Sequence, residues 1–229
     1  MSITFHGVSS DSLGLVVEHY PSYNVPSRKM SAYSVAGRNG DILYQQNAYE
    51  NVVQNYDVYI RKGSALSQSI QKVIEWLMVD GYQRLEDSYT ANQFRLAYCN
   101  NAAEVANAFN EFGRCTLSFT CMPQRFLTSG ETEVTIVSPH TFTNPTAYPA
   151  KPLIYVNTAS SGTIDIDGVS IECDVGEYYI DCDTQNAYLG TSNMNSYINA
   201  PVFPTMSGTS VVTISTVTTC KVTPRWWTL

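Results

Sequence analysis

A chain of 229 residues is long enough for one large or two modest domains, since domains commonly hold about 100–150 residues. Sixteen tyrosines, 44% hydrophobic and only 14% charged residues, with many Thr, Ser and Val, lean toward β structure. A net charge of −7 without any run of Lys or Arg argues against a phosphate-tracking nucleic-acid surface, and no unbroken apolar stretch is long enough to span a bilayer.

The opening residues, MSITFHGVSSDSLGL, carry neither a basic region nor an apolar run of signal length, so the chain is expected to be made in the cytoplasm. RKMSAYSVAG then leads into GRNGD at residues 37–41. Asn-Gly between apolar runs is the strongest short hairpin signal, because a two-residue type I′ turn needs positive φ at both central positions. Centring the turn on Asn39-Gly40 sets Arg38 against Asp41, Gly37 against Ile42 and Val35 against Tyr44; the opposite charges and the β-branched/aromatic pair are both favourable cross-strand contacts. GRNGD is therefore read first as a turn, with Arg38 and Asp41 as candidate interface residues at its tip.

NVVQNYDVYIR alternates Val52, Tyr56, Val58 and Ile60 with a more polar face, a period-two strand. In GSALSQSIQKVIEWLMVDG the period changes, and Leu66, Ile70, Val73, Ile74, Leu77 and Met78 share one helical face. Ser64 is placed to cap its start and Gly81 to follow its end. Trp76 falls on the flank of that face, where it would cover a seam or meet a neighbouring chain. YQRLEDSY, FRLAYC and CTLSFTC read as further strands, while AAEVANAFNEFG is ambiguous: alanine favours a helix, and its asparagines and short length weaken one.

From Met122 to Pro152 prolines and small polar residues accumulate, the texture of a connection between domains. The expected organisation is a domain at 1–130, a proline-rich linker at 131–150, and an all-β sandwich at 151–229 with a hairpin at Asp167-Gly168. The residues permit the closing segment either to stay in the second domain or to return to the first. Six cysteines without an export signal are expected as free thiols; Cys115 and Cys121 lie about 20 Å apart along one strand face, too far to bond.

Little in the chain points to chemistry. His6, His19 and His140 are scattered and no nucleophile motif accompanies them. Asp165, Asp167, Asp174, Asp181 and Asp183, with Glu86-Asp87, are numerous enough to suggest a calcium cage or a glycosidase pair, yet strand alternation would put many of them idle on a solvent face. Zinc and nucleotide motifs are missing, so neither catalytic residues nor a cofactor or metal is expected. PRWWTL is different. Adjacent Trp226 and Trp227 near a chain end need cover, and the options rank as docking into the chain's own core, then burial against another subunit, then stacking on a sugar.

Several stretches in shared order resemble the distal tail protein (Dit) family of long-tailed phages and prophages of Gram-positive bacteria. They are Phe5, Gly7 and Ser10 with the following LGL, the GRNGD hairpin, R-L-E-D-S-Y at Arg84–Tyr89 and C-M-P-Q-R-F-L at Cys121–Leu127. They continue with N-P-T at Asn144–Thr146, K-P-L-I at Lys151–Ile154, Asp181-Cys182-Asp183, N-M-N at Asn193–Asn195 and the closing P-R-W-W. The resemblance implies a mainly β fold: an N-terminal β-sandwich-like ring domain with one α-helix, followed by a galectin-like β-sandwich. It implies a non-enzymatic virion protein at the tail tip, a homo-hexameric ring joining the tail tube protein to the tail-associated hub protein. Tape measure and receptor-binding or baseplate proteins are further candidate partners. The competing expectation is a carbohydrate-binding adhesion module, which a galectin-like fold invites but fold alone does not license.

Overall fold

In the computed structural model, residues 1–60, 66–102, 104 and 113–229 are described. They divide into two compact units, Met1–Arg125 with Leu229, and Phe126–Thr228. The expected helix cap Ser64 and most of AAEVANAFNEFG lie outside the described residues. Among the described residues no helix is long and apolar enough to cross a membrane.

The first unit contains β1 (Ile3–Phe5), β2 (Val8–Ser9), β3 (Leu15–Val17), β4 (Arg28–Tyr33), β5 (Ile42–Tyr49), β6 (Val52–Ile60), β7 (Gln83–Asp87), β8 (Gln93–Cys99) and β9 (Arg114–Cys121). Seven of these form one antiparallel sheet in the order β2-β1-β7-β8-β9-β6-β3, while β4 and β5 pair only with each other. β6 alternates buried and exposed residues along its length, as its period-two pattern predicts, so Tyr56 and Val58 point into the core. Tyr56 meets Phe119 edge-on, Phe119 packs on Phe5, and Phe5 meets Trp76 of the helix α1 (Leu66–Leu77).

That helix buries Val73, Trp76 and Leu77, which turns the expected face toward Trp76. The indole is core, not flank: its Nε1 donates to Phe5 O at 2.9 Å. Met78, expected on the buried face, is 71% exposed: its N–H still donates to Ile74 O at 2.9 Å, and the turn of the buried face toward Trp76 leaves its side chain on the solvent side. Gly81 is left-handed, at φ 71, but sits beyond the helix end and does not cap it.

The remaining strands are β10 (Arg125–Leu127), β11 (Val134–Thr135), β12 (His140–Thr143), β13 (Leu153–Thr158), β14 (Gly162–Ile166), β15 (Val169–Cys173), β16 (Gly176–Asp181), β17 (Asn186–Leu189), β18 (Ser192–Asn193), β19 (Ile198–Asn199), β20 (Thr209–Ser215), β21 (Thr219–Thr223) and β22 (Trp227–Thr228). Two sheets, β11-β21-β13-β16-β17-β18 and β12-β20-β14-β15-β19, share one core, which makes the second unit a β-sandwich. Register shows how: Ile154 pairs with Ile180 on one side and Val222 on the other, a buried row that faces Ile164, Ile166 and Ile171 of the other sheet. The stretch 131–150, expected as a linker, carries β11 and β12 and so belongs to both sheets. Its prolines fall outside those strands, where a missing N–H breaks no ladder.

The chain end is held firmly. Leu127 N donates to Trp226 O and Arg225 N to Gly130 O, both at 2.8 Å. Gly130 has to be glycine, because a Cβ there would collide with the backbone nitrogen of Trp226. Arg225 takes a left-handed φ of 58 and reaches Asp181 through two bonds, Nη1 at 2.7 Å and Nη2 at 3.3 Å. Burial by itself would raise the Asp181 pKa. Arg225, together with the backbone N–H groups of Asp183 and Thr184, outweighs burial and holds it below the ordinary carboxylate value.

A lowered carboxylate pKa stabilises fully above its unfolded value of about 3.9 and is lost as pH falls through the folded value. Arg225→Gln is expected to cost about 2 kcal/mol at pH 7 and noticeably less at pH 3. Urea unfolding at both pH values measures the difference, and an equal cost at each would reject the ion pair as the cause.

Candidate functional site

The residues singled out in the sequence do not converge on one site. Trp76 lies in the core of the first unit and Trp226 in that of the second, 5% exposed, with Phe142 meeting its ring edge-on at 6.5 Å. Trp227 is half-buried; it stacks on Tyr148 at 4.7 Å and donates Nε1 to Pro149 O at 2.9 Å. Own-core docking therefore accounts for both terminal tryptophans, and neither Trp76 nor Trp226 is available to a neighbouring chain. A sugar would find one face and the donor of Trp227 already taken.

Arg38 and Asp41 lie in an exposed loop, but the turn differs from the expected one. The last pair of the ribbon is Tyr33 with Ile42, and Ser31 faces Tyr44, so the loop spans residues 34–41. Arg38 N donates to Val35 O at 3.1 Å around Gly37, whose φ of 79 fits the third position of a type II turn. Gly40 is left-handed while Asn39 is not, which rules out type I′ at Asn39-Gly40. At Asp167-Gly168 both residues are left-handed, at 53 and 85, and Ile166 pairs with Val169: there the two-residue turn forms as expected.

The ribbon itself is the feature that the sequence reading missed. Met30, Tyr33, Val35, Ile42, Leu43 and Tyr44 are all exposed, Leu43 at 57% and Tyr44 at 60%. No residue of 28–49 enters the core of the first unit. The signal available in the sequence was the consecutive apolar run Ile42, Leu43, Tyr44, which does not alternate as a half-buried strand would.

The carboxylates are occupied structurally. Asp165 accepts from Gly168 N and Ser170 Oγ, Asp167 from Val211 N, Asp174 from Ser161 Oγ, and Asp183 pairs with Lys151 at 2.8 Å. Asp181, expected idle on a solvent face, is buried and bound to Arg225. His6 bonds Gln83 and His140 packs on Phe142, in different units. All six cysteines are free thiols; burial pushes Cys115, Cys182 and Cys220 up to about 12 and Cys121 and Cys173 to about 11, so none is a nucleophile at neutral pH.

No protein-family model matches the chain, and no curated protein matches it. Among solved structures it is similar to one described as "SPP1 Dit (gp 19.1) Protein, a Paradigm of Hub Adsorption Apparatus in Gram-positive Infecting Phages". The likeness covers 96% of both chains with a TM-score of 0.71 and 14% sequence identity. At that identity the shared property is the fold, and it is shared through both units.

Trp226→Ala is expected to destabilise the protein by about 3–5 kcal/mol, the cost of a large buried aromatic, and Trp227→Ala by clearly less. Denaturant unfolding of the two variants orders them. Acrylamide quenching in single-Trp variants is expected to leave Trp76 and Trp226 protected; free quenching at Trp226 would overturn its place in the core.

Proposed function

We propose that the chain is a structural tail-tip protein of a long-tailed phage of Gram-positive bacteria. On this reading it is a distal tail protein whose first unit closes into a ring, with six copies expected, between the tail tube and the tail-associated hub. The ring would carry receptor-binding proteins and contact the tape measure. The reading assigns it no catalysis and no cofactor. The single observation that carries it is the fold likeness to a phage hub protein over nearly the whole of both chains.

The uncovered ribbon supports self-association. A two-stranded hairpin is marginally stable alone, and contiguous exposed apolar side chains mark contact surfaces. A ribbon on one copy that lies against a different surface of the next makes a head-to-tail contact, the kind that closes into rings. Arg38 and Asp41, at the end of this ribbon, are on this reading contact residues.

Native mass spectrometry and negative-stain images are expected to show six-copy rings, formed alone or on addition of the tail tube protein. The double variant Leu43→Asp, Tyr44→Ala is expected to keep its circular dichroism and weaken association at least about tenfold, or about 1.4 kcal/mol. A wild-type chain that stays monomeric in both settings would sink the ring.

A further inference from the structure

Arg95, on β8, and Arg125, at the start of β10, are only 7% and 4% exposed. Arginine is seldom buried so completely without a carboxylate. Yet among the described residues the acceptor that both share is a backbone carbonyl, Asn24 O, reached by Arg95 Nη2 at 3.3 Å and Arg125 Nη2 at 3.4 Å. Together the two guanidinium groups carry about ten N–H donors. Arg95 Nη1 and Arg125 Nε are buried with no acceptor among the described residues. Each such group is costly to leave unpaired, because burial removes the water that would otherwise accept from it.

One neighbour supplies part of the missing negative charge: Asp87 lies close enough to hold the Arg125 pKa up, but a single carboxylate faces two guanidinium groups. Burial pushes the Cys121 thiol up to about 11, against the pull of Arg95, so it is neutral at pH 7. Tyr56 is also held neutral, mainly by burial, and donates to Asp87 Oδ2 at 2.9 Å. Asp87 Oδ1 accepts from Tyr89 N, Thr90 N and Thr90 Oγ1, so four donors already surround that carboxylate. Burial and the positive charge of Arg95 together pull Arg125 below its ordinary pKa.

Both arginines line a small open pocket with Tyr23, Asp87, Tyr89 and Gln93, with free space of about 20 Å³. A single water needs about 10–15 Å³, so the space takes a water or the tip of a small polar group and is too small for a sugar ring. The rim is aromatic: Arg125 lies over the exposed Tyr23 at 3.7 Å, and exposed Tyr20 and Tyr89 pack together at 4.9 Å. Tyrosine and arginine are the types that concentrate at the centres of protein interfaces.

We propose that this pocket receives an acidic side chain presented by another protein chain. The carboxylate of an Asp or Glu supplies the second negative charge, beside Asp87, that two guanidinium groups call for, and the exposed tyrosines close around its stem. Guanidinium and carboxylate match in a planar, two-bond geometry, and the rim gives that side chain a preference over a free ion. The inference stands on the pocket and does not require a ring.

The test reads the side-chain Nε–Hε signals of Arg95 and Arg125 by ¹⁵N NMR while N-acetyl-glutamate N-methylamide is added to the intact protein. Expected is a saturable, millimolar shift of both signals that the matching glutamine compound does not produce and that Arg125→Gln abolishes. Gln93→Glu, which places a carboxylate in the same pocket, is expected to shift the signals without any ligand and to block the response; it carries the test alone if Arg125→Gln fails to fold. No shift with the glutamate compound, or a Gln93→Glu variant that responds like wild type, overturns the proposal in favour of water. An equal response to phosphate or chloride overturns it in favour of a free anion.

Discussion

A β-ribbon has two faces, and one of them must be buried for the ribbon to hold its shape. Elsewhere in this chain that constraint is met within the unit. The seven-stranded sheet buries the inward residues of β6 and β9 under α1, and the second unit closes its two sheets on one core. β4 and β5 are the exception, since their apolar side chains face solvent on both sides. Water disfavours such a surface by about 25 cal/mol for each Å² left bare, so the stable form of this ribbon is a covered one. That unmet requirement is one support for the proposed self-association, beside the likeness of fold.

The same logic applied to charge separates the two units. In the second, the buried Asp181 has Arg225, and the ion pair fixes a left-handed residue and the two tryptophans after it. In the first, Arg95 and Arg125 are buried with their hydrogen bonds unfinished. Breaking a buried pair is costly because it strands a charge. Two buried guanidinium groups beside the one carboxylate of Asp87 leave a charge that the proposed partner's carboxylate would balance.

Much of the fold was legible in the sequence because period-two and period-3.6 patterns survive whatever the tertiary context. β6, the helix at 66–77 and the Asp167-Gly168 turn all follow from them. Asn39-Gly40 carries the same local signal as Asp167-Gly168 yet turns differently. The second hairpin has Asp165 binding Gly168 N and Asp167 binding the neighbouring strand, and the first has no third strand to hold its register. Trp76 and Met78 exchanged expected places because the apolar arc read from the sequence is wider than the face that is buried, which is centred nearer Trp76. The arginine pair was not legible at all: Arg95 and Arg125 sit in separate strand motifs, and only the folded chain brings both to Asn24.

What remains unsatisfied is concentrated in the first unit. The second unit absorbs its aromatic end, pairs its buried carboxylate and shares one core between two sheets, so it has no comparable debt of apolar ribbon or buried charge. A unit complete in itself is free to vary its loops without endangering assembly, because loops tolerate change where cores do not. A unit with an uncovered ribbon and a half-satisfied arginine pair is stabilised whenever it meets its own kind or a partner. The assembling role proposed for the first unit is therefore the one that this distribution of unmet interactions favours.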